Sequence, residues 1–222
     1  GPWMRDPAAG IDYSRIVVGE SVLRLHAPLP AACRIEGRHR VVRVTDKGAG
    51  RGALVTVLRQ IHAVDTGALL AEYEQVTFCR GDGGFARDGR HDPAPEQPVW
   101  DLPDRAPDQI VDLPTATQQA LVYRLSGDMN PLHSDPATAR RAGFERPILH
   151  GLATLGMAGH ALDRVSRRSG GAGLSEMGAR LSAPVYPGAA LQLRIWMQGG
   201  GACFVMLDET GREVVSRGRA NF

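Results

Sequence analysis

One apolar segment limits what this chain can become. From Leu149 to Val165 the hydrophobic residues recur at the spacing of a single helix face. It is the most apolar helix the sequence offers, and Pro147 precedes it. Gly151, Gly156 and Gly159 place small residues along it. Each glycine costs about 1 kcal/mol of helix stability relative to alanine. Their recurrence predicts a helix packed closely inside a wrapping sheet. No apolar run approaches the roughly eighteen residues that cross a bilayer, so the helix is expected in a protein core. With no basic-then-apolar leader, the chain is expected to be unexported and cytoplasmic.

The sequence on either side of this helix reads as β. Val22, Leu23 and Leu25 lead to a break at Pro28 and Pro30, and Val41, Val42 and Val44 precede a Gly-rich turn from Lys47 to Gly52. Residues 53–58 are rich in β-branched side chains, Asp65-Thr66-Gly67 reads as a hairpin turn, and Leu69 to Phe78 as the returning strand. Together they predict an antiparallel meander over residues 21–80. Residues 81–114 shift to Gly, Pro and Asp and read as a linker, pinned in its middle by Trp100 and Leu102. Thr117 to Leu125 reads as a short helix. Asp135-Pro136 reads as an N-cap with proline at the first helical position, and Gly143 ends that helix. Strands are expected again at Leu174–Leu181, Ala190–Met197, Ala202–Leu207 and Glu213–Phe222, with a turn at Asp208–Gly211.

The two β regions are alike. His26-Ala27-Pro28-Leu29-Pro30 is similar to Ser182-Ala183-Pro184-Val185-Tyr186-Pro187, and Asp65-Thr66-Gly67 matches Glu209-Thr210-Gly211 in position. The chain therefore reads as a degenerate duplication: a first repeat over residues 1–80, a linker over 81–114, and a second repeat over 115–222. Only the second repeat has a long helix.

The chemistry is concentrated in Tyr123-Arg124-Leu125-Ser126-Gly127-Asp128-Met129-Asn130-Pro131-Leu132-His133. A carboxylate, an amide and an imidazole fall within six positions, and Gly127 and Pro131 forbid one continuous helix. A loop of this kind can turn Asp128 and His133 towards one point, where both hold a single water. Seventeen residues later, Leu149-His150-Gly151-Leu152 opens the apolar helix, whose first amides offer donors to a developing oxyanion. Water beside an oxyanion site suggests chemistry at a carbonyl-conjugated carbon. Taken alone, Asp128 reads better as a turn cap and His133 as a surface histidine; the combined motif reverses that balance.

The run Tyr-x-Leu-Ser-Gly-Asp-x-Asn-Pro-Leu-His, followed by Pro-Ile-Leu-His-Gly-Leu, resembles the MaoC-like (R)-specific enoyl-CoA hydratases, also called hydratase 2. The likeness extends to Phe144, Pro147 and Ala183–Gly188, and more weakly to Asp46-Lys47-Gly48 and Arg80–Phe85. It implies an α+β double hot-dog fold, each repeat an antiparallel sheet around a central helix, with the catalytic loop in the second. The first repeat lacks room for its helix. An upstream segment or another chain then covers the sheet, or the acyl tunnel stays open.

The implied reaction is reversible syn hydration of trans-2-enoyl-CoA to (R)-3-hydroxyacyl-CoA, without metal or redox cofactor. Asp128 and His133 are the implied catalytic pair and Gly151 the thioester oxygen's N–H donor. Asn130 is evenly divided between fixing the loop or the water by hydrogen bonding and serving as ordinary turn chemistry before a proline. Tyr123 and Ser126 are candidate substrate contacts, and Arg146 and Arg180 candidates for the coenzyme A phosphates. A core tyrosine and solvated surface arginines compete with those roles, and His150 reads as a buried, hydrogen-bonded residue. Two other functions stay open: 3-hydroxyacyl-thioester dehydration on carrier-protein, polyketide or steroid substrates, and a non-catalytic acyl-CoA-binding partner. A homodimer, or completion by another subunit, is expected.

Composition excludes several classes. The formal net charge of +2 is too small for nucleic-acid binding, and the basic residues are scattered without an aromatic platform. Lys47 is the only lysine. A coding bias explains that, as does a need for arginine forks that grip phosphate. Cys33, Cys79 and Cys203 are isolated, without zinc spacing or the look of a disulfide framework, which fits a reducing compartment.

Overall fold

The computed structural model describes residues 2–86, 91–93 and 101–222. The chain forms two compact units, one up to Val99 and one from Trp100. In the first, strands β1 (Ile16–Leu25), β2 (Ile35–Asp46), β3 (Ala53–Ala63) and β4 (Leu69–Cys79) pair antiparallel in the order β2-β3-β4-β1. The meander expected over residues 21–80 holds only for β2 to β4. β1 lies against β4, with Ile16 opposite Cys79 and Leu25 opposite Ala71. Pro28 and Pro30 are the physical reason: with φ fixed and no N–H, the β1–β2 connection cannot make a tight hairpin, so the chain crosses to the far edge.

No α-helix occurs among the described residues of this unit. Short 3-10 turns at Pro2–Arg5, Pro7–Ala9 and Tyr13–Arg15 take its place. They seat Met4, Trp3, Ile11 and Tyr13 against Ala53, Val55, Val57 and Cys79. Further along the same face the side chains become polar. Ser21 and Tyr73 share a 2.8 Å hydrogen bond, Arg59 donates to Gln75 at 3.0 Å, and the Arg59 guanidinium lies 5.5 Å from the Tyr73 ring centre. The 3-10 turns thus cover one end of this face, the polar network crosses its middle, and Leu23, Leu25, Ile61 and Ala71 continue it beyond, so the face is mixed instead of uniformly apolar. Asp46 ties two Gly-rich runs together. Its carboxylate accepts N–H bonds from Gly84, Ala86 and Gly48, which hold its pKa down to about 2.

The second unit has β5 (Gln109–Pro114), α1 (Gln119–Tyr123), α2 (Pro136–Arg141), α3 (Gly151–Arg168), β6 (Glu176–Leu181), β7 (Ala190–Gln198), β8 (Gly201–Leu207) and β9 (Glu213–Asn221). Its antiparallel sheet runs β6-β9-β8-β7-β5. Period-two alternation separates two faces. Leu191, Leu193, Ile195, Phe204 and Met206 pack with Ala153, Leu155, Ala158 and Leu162 of α3, while Trp196, Cys203, Val205 and Leu207 form a second cluster with Leu102. Leu102 therefore acts as the expected pin; Trp100 lies outside the described residues. β5 falls within the segment read as linker. Only Val111 and Leu113 reach the core, and the intervening Asp112 and terminal Pro114 dilute the apolar signal.

Candidate active site

The candidate segment begins where α1 gives way to a 3-10 turn at Arg124–Ser126, and Gly127 at φ +111° ends that turn. The backbone then reverses, and Asp128 Oδ1 accepts the Asn130 N–H at 3.2 Å. Asn130 caps the next turn, Pro131–His133, its side chain accepting the Leu132 N–H at 3.1 Å. Its observed work is thus in the loop backbone. Asp128 is exposed while His133 is 9% exposed, so the loop presents the carboxylate to solvent and draws the imidazole inward.

Residues 148–150 meet that loop. His133 Nδ1 lies 2.8 Å from the Ile148 carbonyl. A carbonyl only accepts, so Nδ1 carries the proton and Nε2 keeps its lone pair. His150 is 1% exposed, with Nε2 3.1 Å from the Asp128 carbonyl. By the same reasoning it is the Nε2–H tautomer. Its ring stacks on His133, centroids 3.7 Å apart and planes inclined by 26°, and Tyr123 packs tilted against it at 4.7 Å. Leu149 donates to the Val185 carbonyl at 2.7 Å, which anchors this segment to the Ala183–Gly188 run.

Donor atoms of Asp128, His133 and His150 lie within 4.8 Å of one another. Two hydrogen bonds of about 2.8 Å to one water, at a near-tetrahedral angle, span about 4.5 Å. The spacing therefore suits a water held between carboxylate and imidazole. A metal ion fits less well, because stacked rings carry their lone pairs side by side instead of aiming them at one ion about 2.1 Å from each. Burial lowers the pKa of His133, and the adjacent His150 lowers it further, against the raising effects of the Ile148 bond and Asp128. Burial likewise lowers His150 and raises Tyr123, and Asp128 pushes Tyr123 further up.

Gly151 is the first residue of α3, where amides have no acceptor within the helix. A Cβ at Gly151 would crowd the Leu181 Cδ1 methyl, the flexible end of that side chain, so the glycine lets Leu181 of β6 lie close without turning aside. Ser126 is exposed at the end of its turn. Arg146 stacks over the Tyr186 ring at 4.8 Å, donates to the Pro187 carbonyl at 3.3 Å, and lines an open cavity of about 310 Å³ with Asp208, Glu209 and Arg212. The two acids offset the two arginines there, which weakens the case for a phosphate site. Arg180 is exposed on β6, opposite Ser216. The His133–His150 stack was missed in the sequence; its only signal was a second histidine directly before the helix.

The sequence profile of the MaoC like domain matches residues 99–217, over half of the chain. The chain belongs to the MaoC-like dehydratase family. Residues 4–81 match the MFE-2 hydratase 2 N-terminal domain. Among relatives of this MaoC-like chain, the 3-hydroxyacyl-thioester dehydratase Y of Mycobacterium tuberculosis is 44% identical over 200 residues, covering 88% of this chain and 66% of its own. The peroxisomal enoyl-CoA hydratase 2 of Arabidopsis thaliana is 32% identical, covering 87% and 63%. The chain thus spans about two thirds of these curated relatives. A MaoC-like dehydratase structure from Phytophthora capsici superposes with a TM-score of 0.83 at 32% identity, covering 95% of this chain and 72% of that one. A Mycobacterium tuberculosis protein described as a double hot-dog superposes at 0.61 and 16% identity, covering 94% and 75%, and shows the fold alone. The architecture is α+β, of the hot-dog kind.

Proposed function

We propose that the chain catalyses reversible syn hydration of trans-2-enoyl-CoA to (R)-3-hydroxyacyl-CoA. The observation that carries this reading is the His133 imidazole, with Nδ1 engaged by the Ile148 carbonyl, having a ring nitrogen within 4.8 Å of an Asp128 carboxylate oxygen, a reach that one water can bridge. The thioester oxygen accepts from the Gly151 N–H, which draws electron density off the β-carbon. His133 Nε2 takes one proton of the water as its oxygen bonds to that carbon. The double-bond electrons move to the enolate oxygen, and return of the proton to the α-carbon from the same face completes the addition. Asp128 orients the water and helps deliver that proton. Atoms and electrons balance without a change of oxidation state overall, so no metal or redox cofactor is invoked. Tyr123 closes the site from the side of His150.

The names of the relatives support the same hydro-lyase chemistry in both directions, dehydratase and hydratase. The first also keeps a second reading alive, dehydration of 3-hydroxyacyl groups on other thioesters, which uses the same residues. Free cysteines at 33, 79 and 203 fit a reducing compartment, for which we propose the cytoplasm. No helix among the described residues is long and apolar enough to cross a membrane.

The test is loss of the conjugated-thioester absorbance with crotonyl-CoA and longer enoyl-CoAs, run in parallel with carrier-protein thioesters. Asp128→Asn and His133→Ala should each lower the rate by roughly a hundredfold or more, the scale of positioned acid–base catalysis. Retention of most activity by both variants refutes the dyad. Activity confined to carrier-protein thioesters selects the second reading.

A further inference from the structure

We propose that His150 is the positioning residue of this site: its Nε2–H holds the Asp128 carbonyl while its ring face sets the plane of His133. The kinetic part rests on the hydration reading above; the structural part rests on geometry alone. Two backbone carbonyls lock the two histidines in opposite tautomers, Ile148 for His133 and Asp128 for His150. The chain directly before α3 therefore supplies an acceptor for one ring and a flat surface for it to lie on. A phenylalanine at this position would keep the surface and lose the donor. A glutamine would keep a donor and lose the surface. Histidine does both, which ties the height of the Asp128 backbone to the orientation of the His133 lone pair.

The ring works only while neutral. Its Nδ1 is buried without a partner among the described residues. The groups facing it are Asp128 and His133 from the catalytic loop, Tyr123 from α1 and Arg124 from the turn that follows. A proton on Nδ1 would put a charge without a hydrogen-bond acceptor in a desolvated position, next to the histidine that must itself become cationic during the reaction. A neutral ring instead offers its π face to that imidazolium, an attractive contact.

Nitrogen-15 NMR of the unmodified protein should find His150 as a neutral Nε2–H imidazole at neutral pH and His133 as the Nδ1–H form. In His150→Phe and His150→Gln, kcat should fall roughly a hundredfold, the loss expected of a small misplacement of a catalytic group. KM should change little, since the contact acts in the transition state. The His133 titration should move upward in both, because His150, which holds it down, is gone. A charged or Nδ1–H His150 in the unmodified protein overturns the proposal, as do folded variants that keep kcat and the His133 titration. If neither variant folds, the tautomer measurement decides. Absence of hydration in the unmodified protein defeats the functional reading and leaves the NMR test standing.

Discussion

His133 can act as a base because its other nitrogen is already engaged. The Ile148 carbonyl holds the Nδ1 proton at 2.8 Å, so the lone pair that remains is on Nε2. Burial favours the neutral form of His133 and of His150, and both therefore protonate below the usual histidine value. The sign of the stability effect follows. An unfolded chain binds these protons near pH 6.5, whereas the folded protein resists them to lower pH. In that window the unfolded state carries more protons, so stability is full above about pH 6.5 and declines as the pH falls through the folded values. Denaturant unfolding across the range should show this decline, and His133→Gln should reduce it. The acid limb of kcat/KM should likewise lie below about pH 6.5, and a limb above the usual histidine range would remove His133 as the base. The pairing of Asp128 with His133 was legible because Gly127, Asn130 and Pro131 shape a loop through contacts between near neighbours. The tautomers were not, since each depends on a carbonyl supplied from elsewhere in the chain.

At the level of elements, α3 shows why a pattern of glycines is ambiguous. All three suggested a tightly wrapped helix, but a Cβ at Gly156 would meet nothing within 4 Å, and one at Gly159 would make ordinary contact with Met177 at 3.5 Å. Only at Gly151 would a Cβ crowd a neighbour, the terminal methyl of Leu181 of β6. Buried alanines at 153, 158 and 161 supply the rest of the close face. Gly151→Ala should destabilise the second unit by no more than about 1 kcal/mol, because the Leu181 methyl can turn aside and alanine favours the helix. Leu181→Ala in the same chain should restore part of that loss, as read by urea unfolding. Because the proposed oxyanion donor is a backbone N–H, the double variant should regain most of the activity. A refolded double variant without activity would place the oxyanion donor elsewhere. The cap of α2 was readable in advance, since Asp135 accepts from the nearby Ala137 and Thr138 amides. β5 was not, because only alternate residues of a strand with one buried side carry the signal.

Across the whole molecule the two units use different means to cover a sheet. The second buries α3 against it, and Leu162, with no exposed surface, lies in that core. Leu162→Ala should cost about 2–5 kcal/mol, measured by denaturant unfolding of the intact chain. A loss below 1 kcal/mol would mean that the core relaxes around the deletion. The first unit has 3-10 turns and a polar network of Ser21, Arg59, Tyr73 and Gln75 instead. From the sequence alone these four could have faced either side, because register decides which residues of a strand share a face. The sequence by itself determined two β halves, the long helix between strands of the second, and a loop offering Asp128 and His133. Caps, turns and periodicity act over a few residues and can be read in a line. Only the tertiary structure decided that β1 lies against β4, that His150 lies under His133, and which nitrogen is left bare. Those outcomes depend on groups distant in the chain meeting in space, where burial and hydrogen bonding choose among states that local sequence leaves equal.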